Sequence, residues 1–117
     1  IGSPTSTNTL AKACWQTINL NTKGKSLPPI LHIANEGEAS WFVVAIEIKK
    51  IAKDIGLIQK PVIINPISSS NYPTKARRPK YSVLDCKSSL QSISFKNNHW
   101  KSALKHLFLE YKRNISK

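Results

Sequence analysis

Between Ser68 and Asp85 the chain reads Ser-Ser-Ser-Asn-Tyr-Pro-Thr-Lys-Ala-Arg-Arg-Pro-Lys-Tyr-Ser-Val-Leu-Asp. This stretch carries no helical or strand period until its last residues, yet it is dense in rigid, aromatic and cationic side chains. Tyr72-Pro73 and Arg78-Pro79 each fix a bend, because proline locks its own φ and pushes the preceding residue to extended geometry. Lys75, Arg77 and Arg78 lie between the two bends. A stiffened loop that holds guanidinium forks beside aromatic faces suits an anionic, planar ligand such as a nucleotide diphosphate. The same composition also fits a solvated basic turn joining two packed elements, and the local sequence does not choose between the two.

No other set of residues has a spacing that performs chemistry. His32 lies in an apolar run, and His99 and His106 stand about two helical turns apart with no third ligand nearby, so no metal site is expected. Ser68-Ser69-Ser70 lacks the Gly-x-Ser-x-Gly elbow of a nucleophilic serine. The acids Glu36, Glu38, Glu47, Asp54, Asp85 and Glu110 form no obvious acid and base pair. The four glycines stand too far apart for a dinucleotide fingerprint, and Lys23-Gly24-Lys25-Ser26 is too short and misplaced for a phosphate-cradling loop. No catalytic residue is assigned.

The elements that must position the loop follow from hydrophobic periodicity. A helix is expected from about Asn8 to Leu20, with Ser6, Thr7 or Asn8 as its N-cap, inward residues Leu10, Ala13, Cys14, Trp15 and Ile18, and Gly24 as a left-handed C-cap. Ile30 to Ala34 is compatible with a buried strand. The clearest helix follows a Ser40 N-cap, with Trp41, Phe42, Ala45, Ile48, Ala52 and Ile55 on its core face and Gly56 closing it. Val62 to Ile67 suggests a second strand, confined at its end by Pro66. Tyr81 to Leu84 fits a brief third strand, and Asp85 caps a short helical turn through Leu90. A last helix starts near Asn98, with Trp100, Ala103, Leu104, Leu107, Phe108 and Tyr111 on one face. The expected class is therefore α/β, three main helices with two or three short strands.

Composition sets outer limits. The 117 residues fit one small domain, and 40% hydrophobic content with three tryptophans argues for a folded body. The net charge of +12 makes a positive surface that attracts nucleic acid, anionic lipid or phosphorylated ligands without choosing among them. No nucleic-acid reading motif accompanies the charge, so nucleic acid is not expected as a partner. No apolar run approaches the ~20 residues needed to cross a bilayer, and the amino terminus shows no signal-peptide pattern, so a cytoplasmic location without membrane attachment is expected. Cys14 and Cys86 match no zinc or redox spacing and read as buried free thiols. No methionine occurs, even at position 1, which suggests a fragment of a longer chain.

Four segments together resemble the carboxyl-terminal part of the dTDP-4-dehydrorhamnose reductase family, extended short-chain dehydrogenase/reductases. Gly2-Ser3-Pro4-Thr5 before the first helix resembles the family's Gly-x-Pro-Thr element. His32 to Gly37, then Ser40-Trp41-Phe42 and Ala45, is similar to its His-x-x-x-x-Gly-x-x-Ser-Trp-Tyr-x-x-Ala run, with Phe42 in place of the usual tyrosine. Ile67 through Asp85 resembles the Pro-Ile-x-Ser/Thr-x-x-Tyr-Pro-Thr-x-Ala-x-Arg-Pro-x-Tyr-Ser-x-Leu-Asp signature, and Trp100 with Ala103-Leu104 resembles the final Trp-x-x-Ala-Leu helix.

The resemblance implies that residues 1–117 are the substrate-binding domain of a reductase acting on dTDP-4-dehydro-L-rhamnose to give dTDP-L-rhamnose, a nucleotide sugar for polysaccharide biosynthesis. NADPH or NADH would be held by an amino-terminal Rossmann domain carrying the glycine fingerprint and a Tyr-x-x-x-Lys pair, neither of which occurs here. The fragment alone is then expected to bind no cofactor and to be inactive. By motif position Pro4 and Thr5 border the sugar pocket, and Tyr72, Arg78 and Pro79 face the nucleotide sugar. Some family members dimerise through a divalent metal held by glutamates; Asn8 stands where an acid can occur, so that metal site is not expected, while a homodimer stays open. A second reading is a non-catalytic relative such as the regulatory subunit of methionine adenosyltransferase, which shares the domain pattern and works by binding a partner.

Overall fold

Four helices carry the chain: α1 over Thr7–Thr22, α2 over Trp41–Asp54, the short α3 over Lys87–Ser92 and α4 over Trp100–Ile115, with one 3-10 turn at Ser69–Asn71. The computed structural model describes residues 1–76 and 78–116, so Arg77 of the cationic loop lies outside the described residues. The helix starts follow from their caps. Ser6 Oγ accepts from Thr9 N at 3.1 Å, and Ser40 Oγ accepts from Val43 N at 3.3 Å, each satisfying one of the free N–H groups of a first turn. Both long helices in the first half stop at a glycine with positive φ, Gly24 at 80° and Gly56 at 75°. The backbone then folds over the end, with Lys25 N donating to Leu20 O and Leu57 N to Ala52 O.

The core lies where α2 meets α4. Ala39, Val44 and Trp100 are buried together, with Leu104 packed against them. The two helices run in the same sense. Trp100 N donates to Glu36 O where they begin, Glu47 pairs with Lys101 at 3.4 Å one turn on, and Lys112 Nζ bonds Ile55 O where α2 ends.

Two expectations are corrected. First, the chain is not α/β: among the described residues there is no sheet, only isolated bridges joining Gly2 to Ala39 and Glu36 to His99. The expected strands are extended segments whose hydrogen bonds go elsewhere. In the first, His32 N donates to Ser89 Oγ and Asn35 N to Thr5 Oγ1, so side chains occupy the groups a neighbouring strand would need. In the second, Val62, Ile63 and Ile67 are 40%, 83% and 62% exposed, and among the described residues no other segment bonds to their backbone. β-branched composition favours extended backbone, but a ladder requires a second edge. Tyr81 to Leu84 makes only one such link, Ser82 N to Ile1 O.

Second, the apolar faces point differently. On α2 the buried residues are Val44, Ile51 and Ala52, while Trp41, expected as a core anchor, is 78% exposed. On α1 only Ala13 is buried; Leu10, Cys14, Trp15 and Ile18 face outward. A helix more apolar outside than inside belongs in the interior of something larger. The dimensions agree. The radius of gyration is 17.2 Å, against about 13 Å for a self-contained domain of this length. The accessible surface is 9214 Å², some 2,800 Å² above the roughly 6,400 Å² expected from the mass. The excess belongs to the outer faces of α1 and α2 and to a largely exposed arm, residues 58–76 and 78–80, that leaves α2 and returns at Tyr81. No helix among the described residues is long and apolar enough to cross a membrane.

Candidate functional site

Three segments distant in sequence meet beside the start of α2. Gly2 and Ala39 exchange both backbone bonds, at 3.1 and 2.9 Å, which seats residues 1–5 against the turn preceding the helix. From the other side, Tyr81 Oη donates to Glu38 Oε2 at 2.6 Å, and Asn97 Nδ2 donates to Ala34 O at 2.6 Å. Between them lies a cavity of about 520 Å³ lined by Ser3, Asn35, Glu38, Leu84, Cys86 and Lys87 among others. The Gly-Ser-Pro-Thr element, the His-x-x-x-x-Gly run and the Tyr-Ser-x-Leu-Asp end of the signature are thus parts of one rim.

Asn35 holds that rim together. It is buried, and its amide nitrogen donates to Thr9 Oγ1 and Asn98 O, both at 3.0 Å, while its oxygen accepts from Ser6 N at 2.9 Å. The sequence analysis gave it no role; its only local signal is an amide directly after the apolar run Ile30 to Ala34. Gly37, two residues on, has φ 85°. A Cβ there would overlap His99 Nε2 and stand 3.0 Å from Trp100 Cδ1, so only glycine lets α4 begin this close to the turn.

The five residues expected to contact substrate fall into two groups. Pro4 and Thr5 are half-buried in the rim. Thr5 Oγ1 donates to Ser3 O at 2.9 Å and accepts from Asn35 N at 3.2 Å, which leaves its hydroxyl one acceptor position for anything else. Tyr72, Arg78 and Pro79 are exposed on the arm. Among the described residues no hydrogen bond or ion pair ties them to the rim.

Two groups of the rim are shifted from their ordinary values. The Tyr81 phenol is held above the ordinary tyrosine range, first by its hydrogen bond to the Glu38 carboxylate, which the neutral phenol alone can donate, with minor contributions from desolvation and the nearby charge. The bond is complete below the ordinary tyrosine pKa of about 10 and is lost as pH rises through the higher folded value. Absorbance titration should find this tyrosine ionising late, and Glu38→Gln should bring it back toward 10; a titration unchanged by that substitution would remove the bond. Burial pushes the Cys86 thiol up and so favours its neutral form, against a lowering by the Ala34 backbone. Cys14, expected to be buried, is exposed.

The residues present do not fit a dinucleotide. Gly24 and Gly56 close helices, and Gly37 has His99 and Trp100 against it, so among the described residues no glycine loop offers an open cradle. Among the described residues no three of His, Cys, Asp and Glu gather as metal ligands. Asn8 Nδ2 instead donates to Glu110 Oε2 at 3.2 Å, joining α1 to α4.

The RmlD substrate binding domain model matches residues 1–113. Similar curated proteins include the dTDP-4-dehydrorhamnose reductase of Aggregatibacter actinomycetemcomitans, 30% identical over 92% of this chain and 37% of its own length. The spore coat polysaccharide biosynthesis protein SpsK of Bacillus subtilis is 32% identical over 94% of this chain and 34% of its own length. The dTDP-4-dehydrorhamnose reductase of Mycolicibacterium smegmatis is 35% identical over 89% of this chain and 29% of its own length. The chain spans about a third of the relatives it matches.

Proposed function

The chain belongs to the RmlD substrate binding domain family, and on that premise we propose that residues 1–117 are the substrate-side domain of a reductase that converts dTDP-4-dehydro-L-rhamnose to dTDP-L-rhamnose in nucleotide-sugar and polysaccharide biosynthesis. The observation that carries this reading is the convergence of three motif segments on one rim, on a chain whose outer helix faces are too apolar and too extended to be a complete body. A Rossmann domain elsewhere in the parent protein covers those faces and holds the reductant, NADPH or NADH. The names of the relatives support the enzyme and give no support to a regulatory subunit of the methionine adenosyltransferase kind. We place the parent in the cytoplasm.

Within this division of labour the chain binds and orients. Arg78, made to face one way by Pro79, offers a planar pair of donors to the diphosphate; Tyr72 offers a flat face to the base or sugar; Pro4 borders the sugar. Thr5 acts mainly as a positioning residue, because its proton is already committed to Ser3 O. The test is NADPH oxidation by the purified parent on addition of dTDP-4-dehydro-L-rhamnose. Turnover is expected from the parent and none from residues 1–117 alone. A parent inactive with either reductant, or a fragment that turns over unaided, contradicts the proposal.

A further inference from the structure

A second concavity, about 300 Å³, opens at the far end of α2, away from the rim. Three lysines line it: Lys49 and Lys53, one turn apart on α2, and Lys60, brought back alongside by the reversal at Gly56. Gln59 contributes an amide, while Ile58 and Val62 supply apolar wall. No carboxylate lines it. Among the described residues the ion pairs are Lys101 with Glu47 and His106 with Glu110, so none of the three ammonium groups is matched by either.

Like charges at helical spacing repel, and a third in the same cleft adds to the cost. The negative end of α2 favours Lys53, which lies in its last turn, but not the whole group, since Lys49 sits a turn earlier and Lys60 beyond the helix. Three cations that no carboxylate matches among the described residues, in a cleft with apolar walls, are stabilised by an anion of two or more charges. We propose that this cleft binds a diphosphate group. Lys60 and Val62 begin the arm that carries Tyr72 and Arg78, so an anion bridging Lys60 to α2 fastens the root of that arm. The site does not depend on the reductase reading. Free inorganic diphosphate and the diphosphate of a nucleotide share the chemistry.

The experiment is calorimetric titration of the full-length parent with inorganic pyrophosphate at physiological ionic strength. Saturable binding is expected, weakened about tenfold by Lys53→Gln or Lys60→Gln, each loss being one charge-assisted contact. Lys87→Gln, in the other cavity, should leave it unchanged, and pyrophosphate should slow amide exchange over residues 58–66. If Lys53→Gln and Lys60→Gln weaken thymidine diphosphate as well, the cleft takes the diphosphate of a nucleotide; if they weaken pyrophosphate alone, it takes the free ion, and either supports the proposal. Absence of saturable binding, or equal weakening by Lys87→Gln, overturns it.

Discussion

Gly37→Ala is expected to cost the domain about 3 kcal/mol, roughly three times the cost of the same change at Gly56. Both glycines have positive φ, 85° and 75°, so both substitutions carry the left-handed strain of a side chain, on the order of 1 kcal/mol. They differ in surroundings. Nothing lies within 4 Å of a Cβ at Gly56, whereas one at Gly37 overlaps the His99 ring and crowds Trp100. Neither neighbour yields readily. His99 Nδ1 accepts from Lys101 N, its ring lies 5.9 Å from that of Trp100, and Trp100 is 3% exposed at the heart of the α2–α4 core. Relief therefore means moving the start of α4, and with it the bridge from Glu36 to His99. Denaturant unfolding of the two variants measures the difference; equal costs would mean the close approach is absent.

Asn35→Leu is expected to cost about 2–3 kcal/mol although it preserves volume. Leucine opens no cavity, so the loss is polar. Ser6 N–H, at the cap of α1, loses its acceptor, and Thr9 Oγ1 and Asn98 O each lose a donor. Asn98 O keeps a second bond from Glu36 N, so the main orphan is the Ser6 N–H. The exposed side chain of Asn98 gives the comparison: Asn98→Ala should stay within about 0.5 kcal/mol. A neutral Asn35→Leu would show that the rim is held by packing alone.

The helices were legible because their punctuation is local. Ser6, Ser40, Gly24 and Gly56 act within a turn of themselves, and each marks the boundary that the sequence suggests. The strands were not legible, because a strand is a relation between two segments. Ile30 to Ala34 and Val62 to Ile67 have strand composition, yet the hydrogen bonds of the first go to Ser89 and Thr5, and among the described residues no other segment bonds to the backbone of the second. Helix facing failed for a related reason. Periodicity identifies an apolar stripe but not what covers it, and Trp41, Trp15 and Ile18 of α1 and α2 face outward. Within the site, motif position located the segments of the rim. It missed Asn35 and Gly37, whose importance lies in contacts more than sixty residues away, with Asn98 and with His99.

The central claim is that the cationic, proline-braced arm reads the diphosphate of a nucleotide sugar. Steady-state kinetics of the full-length protein with dTDP-4-dehydro-L-rhamnose, comparing the native chain with Arg78→Ala, test it most directly. The account predicts a KM raised at least about tenfold with kcat little changed, the signature of a lost binding contact worth on the order of 1.5 kcal/mol or more. An unchanged KM would return the arm to a solvated basic turn and contradict the claim.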